Sequence, residues 1–251
     1  MLPPVTLYMF EGSSACATGR MMLEHKGIDY KRVDLPPGYH AFIHKAMGIP
    51  RISAPALRDG KDRVQGSRRI SRWLDEVVPE PRLFPADPDE RRRVEDAERQ
   101  GEELQDRVRR IFWCTVRRNR SLFSGYCRPG TWPAPVTFGV RVTAPFVIWL
   151  ASTHHRASDD AGRQDVRSLP ADLDRVDAWI EEGLLGGAHP NAADFQIATN
   201  VRNLLNFEDF AELLRDRPCA AYARRFVPEL GVPIPPVIPR PWLETLAPIR
   251  P

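Results

Sequence analysis

Val5-Thr-Leu-Tyr-Met9, the turn Phe10-Glu-Gly-Ser-Ser14 and then Ala15-Cys-Ala-Thr-Gly-Arg-Met-Met-Leu-Glu-His-Lys26-Gly27 form the stretch on which the fold turns. The first five residues are a short apolar run of β-branched and aromatic type, which reads as a buried strand. The turn is polar. Beyond it Cys16, Met22 and Leu23 recur at helical spacing over Ala15 to Lys26, and Gly27 stands where a helix C-terminal glycine is expected. Strand, turn and helix in this order open an α/β unit.

Working outward, Tyr30 to Leu35 reads as a second strand closed by Pro36-Pro37-Gly38, and His40 to Met47 as a short helix. Two short strands around the Asp59-Gly60 turn explain Pro55 to Gln65. Ser67 is placed to cap a helix whose apolar residues Ile70, Trp73, Leu74 and Val77 recur every three or four positions. The order is βαβα followed by ββα. Prolines at 79, 81, 85 and 88 then mark a linker.

Beyond the linker the strand signals stop. A long charged helix is expected from Asp89 to about Arg118, a break rich in Gly, Pro and aromatic residues over Gly125 to Pro135, and further helices over Val136–Ser152, Leu169–Leu184, Asn191–Leu205 and Phe210–Val227. From Pro228 the proline-rich tail cannot continue a helix and is expected to wrap an outer surface or to be mobile. The fold class is an α/β thioredoxin-like N-terminal domain plus an all-α C-terminal domain. The divisions are 1–78, a linker over 79–88, a helical domain over 89–228 and a tail over 229–251.

Composition narrows the function. Apolar residues make up 42% and charged residues 27% of the 251, ordinary for a water-soluble globule. No uninterrupted apolar run approaches the roughly 18 residues of a membrane span, and the longest is Ala144 to Ala151. Met1 to Phe10 lacks a basic segment of the secretory kind, so a cytoplasmic location and no membrane partner are expected. The net charge is +3, and the clusters Arg91-Arg-Arg93 and Arg117-Arg118 occur in a region that also carries acids such as Asp89, Glu95 and Glu98, which argues for solvated helix faces and against a nucleic-acid partner. Cys16, Cys114, Cys127 and Cys219 show no metal-ligand or CxxC spacing, His154 and His155 read as a polar helix end, and no metal is expected.

Several motifs then line up in a known order. Leu7-Tyr8, Ser13-Ser14-Ala15-Cys16 and Leu23-Glu-His-Lys-Gly-Ile28 resemble the first strand, active-site turn and first helix of the glutathione transferases. Ala54-Pro55-Ala56-Leu57 is similar to that family's Val-Pro-x-Leu element, whose proline is cis. Gly66-Ser67-Arg-Arg-Ile-Ser-Arg-Trp-Leu-Asp75 resembles its Glu/Gln-Ser-x-x-Ile segment, with Gly66 where an acid or amide is usual. Pro79 to Pro85 matches the linker, and Asn191-Ala-Ala-Asp194 the capping-box start of a buried helix.

The resemblance implies an enzyme that conjugates a low-molecular-weight thiol, glutathione, to a small apolar electrophile. Thiol-dependent isomerisation or dehalogenation, and a non-catalytic thiol- or protein-binding relative, are the alternatives. By resemblance the Ala54 backbone, turned outward by a cis Pro55, pairs with the ligand's cysteinyl part, and Gly66-Ser67 at a helix start holds its γ-glutamyl carboxylate. Ser13 is the first candidate for stabilising the thiolate, with Ser14 and Tyr8 as rivals because the turn is Ser-Ser-Ala in place of the family's Ser-Pro or Cys-Pro. Lowering a thiol pKa by about two units corresponds to roughly 2.7 kcal/mol, within reach of one charge-assisted hydrogen bond and a helix dipole. Phe10, Phe112, Trp113 and Tyr126 are candidates to face the second substrate, although aromatics on a long helix also serve as core. Cys16 lacks a CxxC partner and reads mainly as packing, with a minor redox role open. The family commonly forms two-fold dimers, so a homodimer is implied.

Overall fold

The computed structural model describes residues 4–50, 53–60, 62–126 and 131–246, the side chains of 124–126 excepted. Strand β1 (Val5–Met9) leads through the polar turn into α1 (Ser14–His25). The Ser13 hydroxyl accepts the Cys16 amide at 3.4 Å and so caps α1. Gly27, at φ +64°, reverses the chain after it. Strand β2 (Tyr30–Asp34), helix α2 (His40–Ala46), the hairpin β3 (Ala56–Asp59) and β4 (Asp62–Gln65), and α3 (Ser67–Val77) complete the unit.

The sheet order is β2-β1-β3-β4. β1 runs parallel to β2 with Leu7 opposite Arg32, and antiparallel to β3 with Leu7 opposite Leu57. Leu7, Leu57, Ile70 and Leu74 are fully buried between the sheet and its helices. Gly19 lets α1 settle on Pro55 and Ile70, since a Cβ there would meet them at 3.4 and 3.5 Å.

A buried cation ties this unit to the linker. Lys26 Nζ donates to Asp75 Oδ1 and to the Val78 carbonyl, both at 2.7 Å, and Asp75 also accepts the Leu83 amide at 2.8 Å. The Leu83 carbonyl in turn accepts the Ala192 amide at 2.9 Å. The linker is thereby fixed by paired polar groups, as buried backbone requires.

The remainder is helical. Asp87 caps α4 (Pro88–Arg118), whose start is one residue ahead of the expected Asp89. A 3-10 segment, Arg120–Tyr126, precedes α5 (Ala134–His154). Among the described residues α5 is the one helix long and apolar enough to cross a membrane by length and composition, with mean hydropathy 1.4 and 17% of that window buried. A run-length criterion misses it because Arg141, Thr143 and Ser152 interrupt the apolar residues. Phe138, Val142, Phe146 and Trp149 form its outward face.

Two expected helices differ from their prediction. α6 spans Asp159–Glu181, starting ten residues before Leu169, because Ser158 caps it and Pro170 is accommodated inside it. The expected Phe210–Val227 helix is broken into a 3-10 turn, Glu208–Phe210, the short α8 (Ala211–Leu214) and α9 (Pro218–Phe226), since Pro218 starts a new helix more readily than it continues one.

Between them α7 (Ala192–Leu204) is the spine of the molecule, packed against α4, α1 and α9. Its capping box is complete: Asn191 accepts the Ala193 and Asp194 amides, and Asp194 accepts the amides of Asn191 and Gly186 and the Tyr222 hydroxyl. Where α7 crosses α4, Gly101 leaves no room for a Cβ, which would lie 2.9 Å from Gln196 and Ile197 side-chain carbons. Thr18 of α1 meets Thr199 of α7 at 2.8 Å, joining the α/β unit to the helices.

The tail is neither purely external nor structureless. The Ile234 amide donates to the Asn206 carbonyl at 2.7 Å, Ile234 and Ile238 are buried, and α10 (Arg240–Leu243) carries a buried Trp242 against Gly162. Prolines prevent a long helix, yet the apolar residues between them dock into the helical core.

Candidate active site

A cavity of about 430 Å3 lies where the α1 turn faces the helical half. On the sheet side it is lined by Phe10, Ser13, Ser14 and Ala54, and α2 adds His40. On the helical side Val108, Arg109, Phe112 and Trp113 project from one face of α4, as spacings of three and four residues require. The α5 end adds Ala151, His154 and His155, α7 adds Asn203, and the tail adds Gly231, Val232 and Ile234.

The structure therefore brings together six of the expected residues: Ser13, Ser14, Phe10, Ala54, Phe112 and Trp113. Tyr8 is elsewhere, packed with Leu35, Ile49 and Ala56, and is not among the cavity-lining residues. Pro55, Gly66 and Ser67 do not line it either. The side chain of Tyr126 lies outside the described residues.

The Ala54–Pro55 bond is cis. The Pro55 carbonyl accepts the Gly66 amide at 2.9 Å, whereas the backbone N–H and C=O of Ala54 have no hydrogen-bond partner among the described residues. Gly66 occupies the N-cap of α3 at φ +94°, so Ser67 is the first helical residue and not the cap. A positive φ turns the chain sharply into the helix, which glycine alone does at no steric cost. A Cβ at Gly66 would meet nothing within 4 Å, so open space lies at this helix start.

Ser13 is both cap and cavity wall. Its oxygen accepts the Cys16 amide, which leaves the hydroxyl proton to be directed elsewhere. Cys16 beneath it is fully buried. Burial pushes its thiol up to about 11, against hydrogen bonds from Ser13 and the Phe10 amide and the charge of Arg109, so it is neutral at pH 7. This is an inert packing thiol, as are Cys114 and Cys219, pushed up by burial in the same way. Cys127 lies outside the described residues.

The aromatic wall is a connected cluster. Phe112 meets Trp113 edge-to-face at 5.4 Å, and Trp113 lies parallel to His155 at 6.3 Å. Burial, then the charge of Arg109, lowers His155 to about 3, and burial beside His44 and His154 lowers His40 to about 4. Both imidazoles are neutral at pH 7. Nδ1 of His40 is buried without a hydrogen-bond partner among the described residues, and its ring stands edge-on to Phe10 at 4.9 Å.

The sequence pattern does not single out Arg109, His40, Asn203 or Val232. Helical spacing to Phe112 and Trp113 is a signal that could find Arg109, whereas nothing local marks Val232. Glu11 pairs with Arg32 and does not line the cavity. Among the described residues no group of His, Cys, Asp and Glu could hold a metal ion.

Residues 7–82 match the family described as glutathione S-transferase, N-terminal domain. A curated maleylpyruvate isomerase from Ralstonia sp. is 34% identical over 90 residues, 35% of this chain and 42% of that relative, so the chain matches less than half of its length. Among solved structures, a glutathione transferase from Phanerochaete chrysosporium superposes with a TM-score of 0.61 at 20% identity, covering 90% of this chain and 97% of that one. A maleylacetoacetate isomerase from Anaeromyxobacter dehalogenans, with dicarboxyethyl glutathione and citrate bound in its active site, superposes with a TM-score of 0.56 at 18% identity, covering 92% and 93%. Residues 7–82 thus match the glutathione S-transferase N-terminal domain in sequence, and the chain shares its two-domain fold with solved glutathione transferases.

Proposed function

We propose that the cavity binds glutathione and presents its thiolate to a small electrophile held against the aromatic wall. The observation that carries this reading is the convergence on one cavity of Ser13, at a helix amino terminus, and Ala54, whose backbone has no hydrogen-bond partner among the described residues. The Ala54 N–H and C=O pair with the cysteinyl unit as an added strand would. The open space before α3 receives the γ-glutamyl carboxylate, where the amides of the first turn and the helix dipole favour an anion. Ser13 donates to the sulfur.

The chemistry follows from the thiolate. The thiol proton leaves to water, and the sulfur lone pair forms an S–C bond to the electrophilic carbon. In conjugation by displacement a leaving group departs with the electrons of its bond. In the second reading the thiolate adds to a cis double bond, the new single bond rotates, and elimination of the same thiolate restores the double bond as trans. The maleylpyruvate isomerase likeness favours this second reading. Both begin with the same activated sulfur and need no covalent bond to the protein.

A thermal-shift titration with glutathione tests the proposal, since a ligand that binds the native state raises its melting temperature. A saturable rise at millimolar glutathione is expected. No shift would overturn the glutathione reading, and binding without turnover of any electrophile would identify a non-catalytic relative.

A further inference from the structure

Between Asp106 and Asp159 the chain holds nine arginines and no Asp or Glu, although it carries 33 acids in all. This acid-free segment builds most of the helical wall of the cavity, through the end of α4 and the end of α5. Among the described residues no carboxylate lines the cavity, and Arg109 is the one lining residue that carries a permanent charge.

Arg109 lies on the cavity wall with most of its guanidinium donors uncommitted among the described residues. Nη1 donates to Asp106 Oδ1 at 2.9 Å, one turn back on α4, where the Asp106 side chain is 58% exposed. The other donors of its guanidinium fork have no partner among the described residues. Its field reaches both the Cys16 thiol beneath Ser13 and the His155 imidazole on the same helical side. The His40 and His155 imidazoles, which also line the cavity, are held neutral and so supply no positive charge to an anion there.

We propose that the electrophile taken by this cavity carries a carboxylate, and that Arg109 seats it. The assignment rests on the proposed thiol binding and narrows its substrate class. A wholly apolar electrophile filling the cavity would strip water from the guanidinium and give nothing back. A carboxylate offers the planar fork two parallel acceptors, strengthened by the apolar lining around it. The same anchor fixes which carbon of a short organic acid faces the thiolate at Ser13, so Arg109 sets orientation as well as affinity.

Two glutathione conjugates that differ only in charge read this directly: S-(2-carboxyethyl)glutathione and its neutral isostere S-(2-carbamoylethyl)glutathione, each titrated calorimetrically. The acid is expected to bind the wild-type protein about tenfold more tightly than the amide. Arg109→Met should bring the ratio close to one, and Arg109→Lys, which keeps the charge without the fork, should restore part of it. Equal binding of acid and amide to the wild type, with glutathione itself bound, would overturn the carboxylate assignment alone and needs no variant. A ratio that survives in Arg109→Met would overturn the role of Arg109. If neither conjugate nor glutathione binds, the thiol reading falls and this assignment falls with it.

Discussion

On its sheet side the cavity offers main chain as well as side chains: the Ala54 backbone, which has no hydrogen-bond partner among the described residues, and a helix start capped by Ser13. On its helical side the wall carries large side chains, Arg109, Phe112 and Trp113 from α4, two histidines from α5 and its end, and Val232 from the tail. Main-chain recognition tolerates drift in the surrounding residues, because the geometry belongs to the turn and the helix end. A side-chain wall changes with every substitution, which lets one scaffold keep its thiol and vary the molecule offered to it.

The largest effect should come from the element the two walls share. Asp194→Ala in α7 leaves the Gly186 and Asn191 amides and the Tyr222 hydroxyl without their buried acceptor. A loss of about 3 kcal/mol in urea unfolding is expected, with both walls failing together. An effect confined to the helical half would show that the walls are separate folding units.

Next, Ser13→Ala should lower turnover by about ten- to a hundredfold while glutathione still binds, because the hydroxyl acts on the sulfur and the backbone of Ala54 holds the peptide. Unchanged turnover would move the role to Ser14, the other serine beside it on the cavity. On the opposite wall, Trp113→Ala should raise KM for the electrophile about fivefold and leave glutathione affinity unaltered, as expected for removal of apolar area from one wall alone.

A separate effect is a pH dependence carried by two histidines that line the cavity. His155 titrates near 3 in the folded protein against an ordinary value of 6.5, and His40 near 4. Between these folded values and 6.5 the unfolded chain binds more protons than the native one, so stability rises with pH through that window and is fully present above 6.5. Unfolding at about pH 5 and about pH 7.5 should show the native protein weaker at the lower pH, and His155→Asn should narrow the gap.

The same contrast explains what could be read from the sequence. The sheet-side wall depends on local signals: a polar turn after a strand, a proline after Ala54, a glycine after a helix. These mark positions within a few residues, although the Gly66 cap is resolved only by its positive φ. The helical wall depends on residues far apart in the chain. Phe112 and Trp113 could be named from α4, but that Val232 would line the same cavity goes with Asn206 accepting the Ile234 amide, a contact no local pattern announces. Pro170 and Pro218 illustrate the limit: the first is absorbed within α6 and the second begins α9, and the difference is set by the packing around each.

The central claim is that this cavity activates a glutathione thiol, and the ionisation of the bound thiol tests it most directly. Ultraviolet thiolate absorbance of the protein–glutathione complex, followed against pH, should show the bound sulfur titrating about one to two units below the reference of about 8.5, with most of the shift lost in Ser13→Ala. A bound thiol that titrates at its free value would contradict the account.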